Sequence, residues 1–340
     1  MIENPSSLVL NDGTSENKYE GTVVQAVYLD YASLNQNDLD FKALHAAFEQ
    51  LQLYPTTHPQ DVLARVCDVD VIMTNKVVID AATIQQCPHL KLILISATGT
   101  NNVDLTAAKA RGIVVCNCQA YGTSAVAQHT LMLMLNLATS FVSYQKDIQA
   151  GKWQNATQFC LLDAPIVELA GKTLGIVGYG ELGRAVAKLA EAFGMKVLVG
   201  NLPNRPSDAS RVPFAELLSQ VDFLSLHCPL TEDTKHLMST AEFEAMKPSA
   251  FLINCARGGI VDEVALVNAL RSGQIAGAAT DVLTVEPPTA GNVLLDASIP
   301  NLIVTPHNAW GSSDARQRIV NQMLENVDAF KAGQPIRQVN

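Results

Sequence analysis

Residues 175–205 read GIVGYGELGRAVAKLAEAFGMKVLVGNLPNR. An apolar run ends at Gly178, Gly180 and Gly183, spaced G-x-G-x-x-G, and an amphipathic stretch, LGRAVAKLAEAFG at 182–194, follows at once. The order is strand, glycine turn, helix. In such a turn the first glycine permits the tight bend, the second lets backbone approach a diphosphate, and the third lets helix lie close on strand. The first helical turn, with Glu181 and Leu182, adds free N–H groups and a partial positive charge that suit an anion. The stretch predicts a dinucleotide-binding α/β unit. A glycine turn that only packs is the plain alternative.

The next strand, KVLVG at 196–200, ends on Asn201. An acidic residue about 20 positions beyond the glycines would bond the ribose 2′-hydroxyl of NAD. Asn201 stands there instead, and it bonds a hydroxyl without repelling a 2′-phosphate. Arg205 follows and offers a planar, two-pronged partner to such a phosphate. The expected cofactor is therefore NADP or NAD, with NADP favoured. A solvated loop charge is the other reading of Arg205.

Working outward, strand-like and helix-like segments alternate on both sides. Upstream strands are read at 23–30, 68–75, 90–98 and 112–118, with a helix at 39–51. Downstream strands are read at 172–178, 221–227, 250–256, 277–283 and 302–307, with helices at 262–273 and 312–333. Alternation of this kind implies parallel sheets covered by helices. A length of 340 residues suits two domains. Residues 121–150 read as one long helix joining them. Within it the apolar window AVAQHTLMLMLNLATSFV carries Gln128, His129 and Asn136. It therefore reads as a buried or dimer-interface helix, not a membrane span.

Composition narrows the partners. Hydrophobic residues make up 48% and the formal net charge is −10, which argues against nucleic acid or an anionic membrane as the main partner. Seven cysteines without regular spacing suggest reduced thiols and a cytoplasmic protein. Cys116 and Cys118 share a strand face, but no ligand-spaced His or second Cys pair accompanies them, and no metal is expected. Residues 1–21 are polar, carry no signal-peptide pattern, and read as a flexible extension.

Three stretches close later strands: NCARGGIVDE (254–263), TDVLTVEPP (280–288) and VTPHNAWGS (304–312). Ligands of open parallel sheets bind outside those strand ends. Hydride transfer to a carbonyl leaves an oxygen that needs a proton, and His307 suits that task near neutral pH. Glu286 could orient the imidazole and favour its protonated form. Arg257 could hold a carboxylate and polarise the adjacent carbonyl. Each has a bland alternative: a structural histidine, a loop charge, and an arginine paired with Asp262 or Glu263.

With these motifs in order, and with ATGTNNVD and HCPLTEDTKHLM beside them, the chain resembles the D-isomer-specific 2-hydroxyacid dehydrogenases from about residue 67 to 330. The resemblance implies two doubly wound parallel-sheet domains of the α/β class. A Rossmann-type nucleotide domain at 121–307 would be inserted in a flavodoxin-like substrate domain at 22–120 and 308–340, with the 121–150 helix building a homodimer. It implies Arg257 as substrate anchor, Glu286 as partner of His307, and His307 as the acid/base. Asp281 would lie near the nicotinamide carboxamide. Cys228, Pro229, Thr234, Cys255 and Ala256 would line the dinucleotide. Ala97, Thr98 and Gly99 would receive the substrate carboxylate, with Tyr121 and Trp310 beside it. The implied reaction is NAD(P)H-dependent reduction of a small 2-keto acid to a D-2-hydroxy acid. Hydroxypyruvate or glyoxylate is the expected substrate; phosphoglycerate, lactate or a bulkier acid stays open. A dinucleotide-sensing regulator on the same scaffold and a methyltransferase-like nucleotide enzyme are the rival readings. Two departures stand out: Asn201 replaces the common ribose acid, and AVAQ (125–128) replaces the usual SVAE.

Overall fold

The computed structural model describes residues 25–203 and 208–340. The extension at 1–21 and Arg205 lie outside the described residues. The chain divides into two compact units, one reaching to Tyr121 and resuming at Arg316, the other spanning Gly122–Ala315.

The first unit holds five strands: β1 Gln25–Tyr28, β2 Gln50–Leu53, β3 Val71–Thr74, β4 Leu92–Ile95 and β5 Val114–Cys116. All pair in parallel in the order β2-β1-β3-β4-β5, the flavodoxin-like doubly wound arrangement. Strands β3, β4 and β5 are buried throughout. Both of their faces meet helices, which is why they appear in sequence as unbroken apolar runs. The helix expected over 39–51 is shorter, Lys42–Ala46, and the chain then turns into β2. The reason is local: Leu51 and Leu53 alternate with Gln50 and Gln52, a period of two that fits an edge strand with one face half-buried. At the other edge, residues 337–340 return to β5. Val339 N–H donates to the Val115 carbonyl (2.9 Å), and the Asn340 Oδ1 accepts from Val115 N–H (3.0 Å).

The second unit holds six strands: β6 Thr173–Val177, β7 Lys196–Gly200, β8 Phe223–Leu226, β9 Phe251–Asn254, β10 Gly277–Thr280 and β11 Leu302–Val304. They pair in parallel in the order β11-β10-β9-β8-β6-β7. Strand β6 thus has β7 on one side and β8 on the other. That reversal of direction opens a crevice at the carboxyl ends of β6 and β8.

The long helix expected over 121–150 is two helices, Thr123–Ala138 and Phe141–Gln149, bent by 62°. Ser140 sits between them at φ +51°, in the left-handed region. Its hydroxyl donates to the Pro165 carbonyl (2.6 Å), and the Ala138 carbonyl accepts from Val167 N–H (2.7 Å). Bonds to the returning segment thus replace the bonds that would continue the helix. Val126, Leu133, Met134 and Leu137 of the first helix pack with Leu174, Ile176, Phe223 and Ile253 of the sheet. The rings of Phe223 and Phe251 stack at 4.9 Å in that layer. No single described helix is long and apolar enough to cross a membrane.

Residues 308–315, expected with the first unit, belong to the second. The Asp281 carboxylate, just past β10, accepts the Asn308 and Ala309 N–H groups at 3.0 and 2.9 Å and ties that loop to the sheet.

Candidate active site

The three glycines behave differently. Gly178 has φ +96°, and a side chain there would meet the His227–Cys228 peptide at the end of β8 (2.5 Å). A Cβ at Gly183 would fall on the Gly178 carbonyl. Both positions are closed by the protein's own backbone. At Gly180 nothing lies within 4 Å of a Cβ. Packing does not require glycine there, whereas close approach of a ligand does. Gly180 also caps the helix Glu181–Ala192, so its open side faces the free N–H groups of that helix. The cradle fits a diphosphate.

Cys228, after β8, and Cys255 and Ala256, after β9, are buried, and burial pushes the Cys255 thiol up to about 12, which leaves it inert. The Thr234 hydroxyl donates to the Pro229 carbonyl (2.7 Å) and accepts from Thr231 N–H (2.7 Å), stapling the loop after β8. The Asn201 side chain closes its own loop through weak bonds to Asp208, 3.3 and 3.4 Å.

The Arg, Glu and His stretches meet at the far strands. Gly258 makes this possible: a Cβ there would fall on the Leu283 carbonyl, so the loop after β9 rests backbone to backbone on the loop after β10. Glu286 accepts Leu283 N–H at 2.7 Å with one oxygen and faces His307 Nδ1 at 2.5 Å with the other. Burial acts to raise the Glu286 carboxyl. The His307 and Leu283 hydrogen bonds, with the charges of His307 and Arg257, outweigh it and hold the group below the usual carboxylate value. Glu286 is therefore ionised at neutral pH, and its bond to Nδ1 leaves the His307 Nε2 free to meet a ligand.

Arg257 is exposed, and its guanidinium donates to the Ala256 carbonyl (2.7 Å). Neither Asp262 nor Glu263 takes it. Asp262 caps the helix Glu263–Ser272. Glu263 accepts from Thr284 N–H and from the Asn292 side-chain amide, both at 2.8 Å.

His307 itself has φ +51°, a conformation that non-glycine residues hold only when their surroundings enforce it. The enforcement is visible. Asp281, 1% exposed, accepts Asn308 and Ala309 N–H and the Thr305 hydroxyl (2.5 Å), and the Trp310 indole N–H donates to the His307 carbonyl (3.0 Å). Asp281 and Trp310 thus brace the histidine loop. In the first unit, the Thr98 hydroxyl donates to the Cys118 carbonyl (2.9 Å) and the Thr98 carbonyl accepts from the Asn117 amide (2.8 Å). Ala97 is buried, and Gly99 continues that loop past β4. The Tyr121 carbonyl accepts from Arg318 (2.8 Å).

Sequence reasoning missed His227 and the roles of Thr305 and His129. The His227 Nε2 lies 2.9 Å from the Ser225 hydroxyl, while its Nδ1 is buried with no partner among the described residues. Burial pushes its imidazole down to about 4.

A doubly wound sheet, an anion cradle at its switch point and a histidine–carboxylate pair at later strand ends define an oxidoreductase of the dinucleotide-binding α/β class. Residues 131–309 match the family described as D-isomer specific 2-hydroxyacid dehydrogenase, NAD binding domain. A glycerate dehydrogenase of Methylorubrum extorquens is 45% identical over 311 residues, 92% of this chain and 97% of the relative. A hydroxypyruvate reductase of Blautia hydrogenotrophica is 36% identical over 323 residues, 93% and 100% of the two chains. Among solved structures, an acyclic imino acid reductase in complex with NADPH and D-Arg superposes with a TM-score of 0.80 at 26% identity, covering 93% of this chain and 100% of that one. The chain belongs to the D-isomer-specific 2-hydroxyacid dehydrogenase family.

The neutral, buried His227 predicts an acid-side loss of stability. Its folded value of about 4 lies below the ordinary 6.5, so between those limits the unfolded chain binds a proton that the folded chain refuses. Stability falls as pH drops from 6.5 towards 4 and this contribution levels off below that. His227→Gln is expected to flatten the slope of melting temperature against pH in that window; an unchanged slope would count against it.

Proposed function

We propose that the chain reduces small 2-keto acids, hydroxypyruvate and glyoxylate foremost, to D-2-hydroxy acids with a reduced nicotinamide dinucleotide. The observation that carries the reading is the 2.5 Å pairing of His307 Nδ1 with Glu286 in a loop held at positive φ. Glu286 engages the ring through Nδ1, so Nε2 is the nitrogen that meets the substrate. The Nε2–H then donates to the substrate oxygen, and in the reverse direction Nε2 recovers the proton. When bound, the reduced nicotinamide supplies the hydride to the keto carbon. Arg257, free of Asp262 and Glu263, holds the substrate carboxylate and polarises the carbonyl through its planar cation. The glycerate dehydrogenase and hydroxypyruvate reductase relatives support a short, hydroxylated acid.

Two finer proposals accompany this one. The missing acid at Asn201 supports NADP alongside NAD. The segment after the helix break supports a homodimer. There Phe141, Trp153, Phe159, Leu162 and Ile166 are exposed, Phe159 by 90% and Leu162 by 75%. Exposed apolar side chains this frequent between residues 141 and 166 support an association site there.

The principal test is consumption of NADH and NADPH with hydroxypyruvate, glyoxylate, pyruvate and phenylpyruvate, with the product's chirality assigned. Turnover of the first two to the D-product is expected, and His307→Ala is expected to lower kcat by about 10²–10⁴-fold. Failure to oxidise either cofactor, or full activity in His307→Ala, would sink the reading. For the cofactor, Asn201→Asp is expected to lower kcat/KM for NADPH by about tenfold or more, by charge repulsion, while NADH is spared. An equal effect on both would remove the 2′-phosphate argument. For assembly, light scattering is expected to report a dimer for the parent protein and a monomer for Phe159→Asp/Leu162→Asp. A parent monomer would remove the dimer.

A further inference from the structure

His129 stands in the largely apolar helix Thr123–Ala138, and its side chain is 15% exposed. Its Nε2 lies 3.0 Å from the Thr305 hydroxyl and 3.6 Å from Asp281 Oδ1. Thr305 donates its single hydroxyl proton to Asp281 (2.5 Å). A hydroxyl has one proton to give, so towards His129 it can only accept. His129 must therefore carry a proton on Nε2. The chain of bonds runs one way: His129 Nε2–H to Thr305, and Thr305 O–H to Asp281.

The far end of that chain is the loop that holds His307. Asp281 accepts Asn308 and Ala309 N–H, and Thr305 N–H donates to the Thr280 carbonyl (2.9 Å). His307 lies between these anchors in its left-handed conformation. The loop is held on both sides by one buried carboxylate. The direction of the Thr305 hydroxyl decides whether that carboxylate is satisfied.

We propose that His129 is a positioning residue for proton transfer: by donating to Thr305 it fixes the hydroxyl on Asp281 and so fixes the loop that aims His307. The inference rests on the reading of His307 as the proton donor. Burial, which outweighs the attraction of Asp281, lowers the His129 imidazole from its ordinary 6.5. A neutral ring at neutral pH has one N–H, and the geometry assigns it to Nε2. His129 touches no reacting atom on this account; it acts through Thr305 and Asp281.

Three single variants, one double variant and two readouts test it. His129→Leu keeps bulk and loses the donor. His129→Gln returns an N–H donor. Thr305→Val breaks the middle of the chain. His129→Leu is expected to lower kcat about tenfold or more, as small misplacements of catalytic groups do, with KM for keto acid and cofactor within about twofold. His129→Gln is expected to recover most of kcat. The double variant His129→Leu/Thr305→Val is expected to be no worse than Thr305→Val alone, because both break one chain. The second readout needs no turnover: NMR signals of the His307 ring, identified by their loss in His307→Ala, are expected to shift in His129→Leu and return in His129→Gln. Wild-type kcat with unmoved His307 signals in His129→Leu would overturn the proposal. So would a Gln variant as impaired as the Leu variant, or additive losses in the double variant. If the parent protein reduces no keto acid, the proposed reaction falls, and the ring signals still decide whether His129 governs the His307 loop.

Discussion

A carboxylate taken out of water must have its oxygens satisfied, or the fold loses several kcal/mol. Asp281 is such a group, 1% exposed at the end of β10. Its oxygens are met by two backbone N–H groups and one hydroxyl, all from residues 305–309. The chain leaving β11 has to fold back to supply them. That obligation places Thr305, His307 and Ala309 within a few ångströms of β10 and makes a left-handed histidine tolerable. Glu286, anchored on the backbone of its own loop, then finds the imidazole already in reach.

Glycines set the other limits. At 178 and 258 the absence of a side chain lets neighbouring strand-end loops touch through their main chains. The nucleotide cradle and the histidine–carboxylate pair are thus built from the same device, applied twice along one sheet edge. Gly180 is the exception, open where the others are closed. A turn that served packing alone would have no use for that opening. The difference separates the two readings that the spacing of the glycines left undecided.

Much of this was legible in the sequence. The buried strands announce themselves because both faces are covered, so their residues form apolar runs that need no partner to interpret. Arg257, Glu286 and His307 come after β9, β10 and β11, and parallel topology sends all three to the same edge. What escaped was set by contacts distant in sequence. The break at Ser140 carries neither glycine nor proline; it depends on bonds to residues 165 and 167. Strand β2 is four residues long and half polar, and the helical spacing expected over 39–51 runs into its first two residues. His129 looked like a polar interruption of an apolar helix, since Thr305, its partner, lies 176 positions away.

The returning tail at β5 has a consequence for how the protein behaves at high concentration. An outer strand with free main-chain groups is a template on which other polypeptides can add and grow into insoluble arrays. Here the outward groups of Val115 are already engaged by Val339 and Asn340, and Asn117 N–H by the Arg337 carbonyl. The final residues act as a selvage, finishing that margin of the sheet against fraying and against recruitment of strangers.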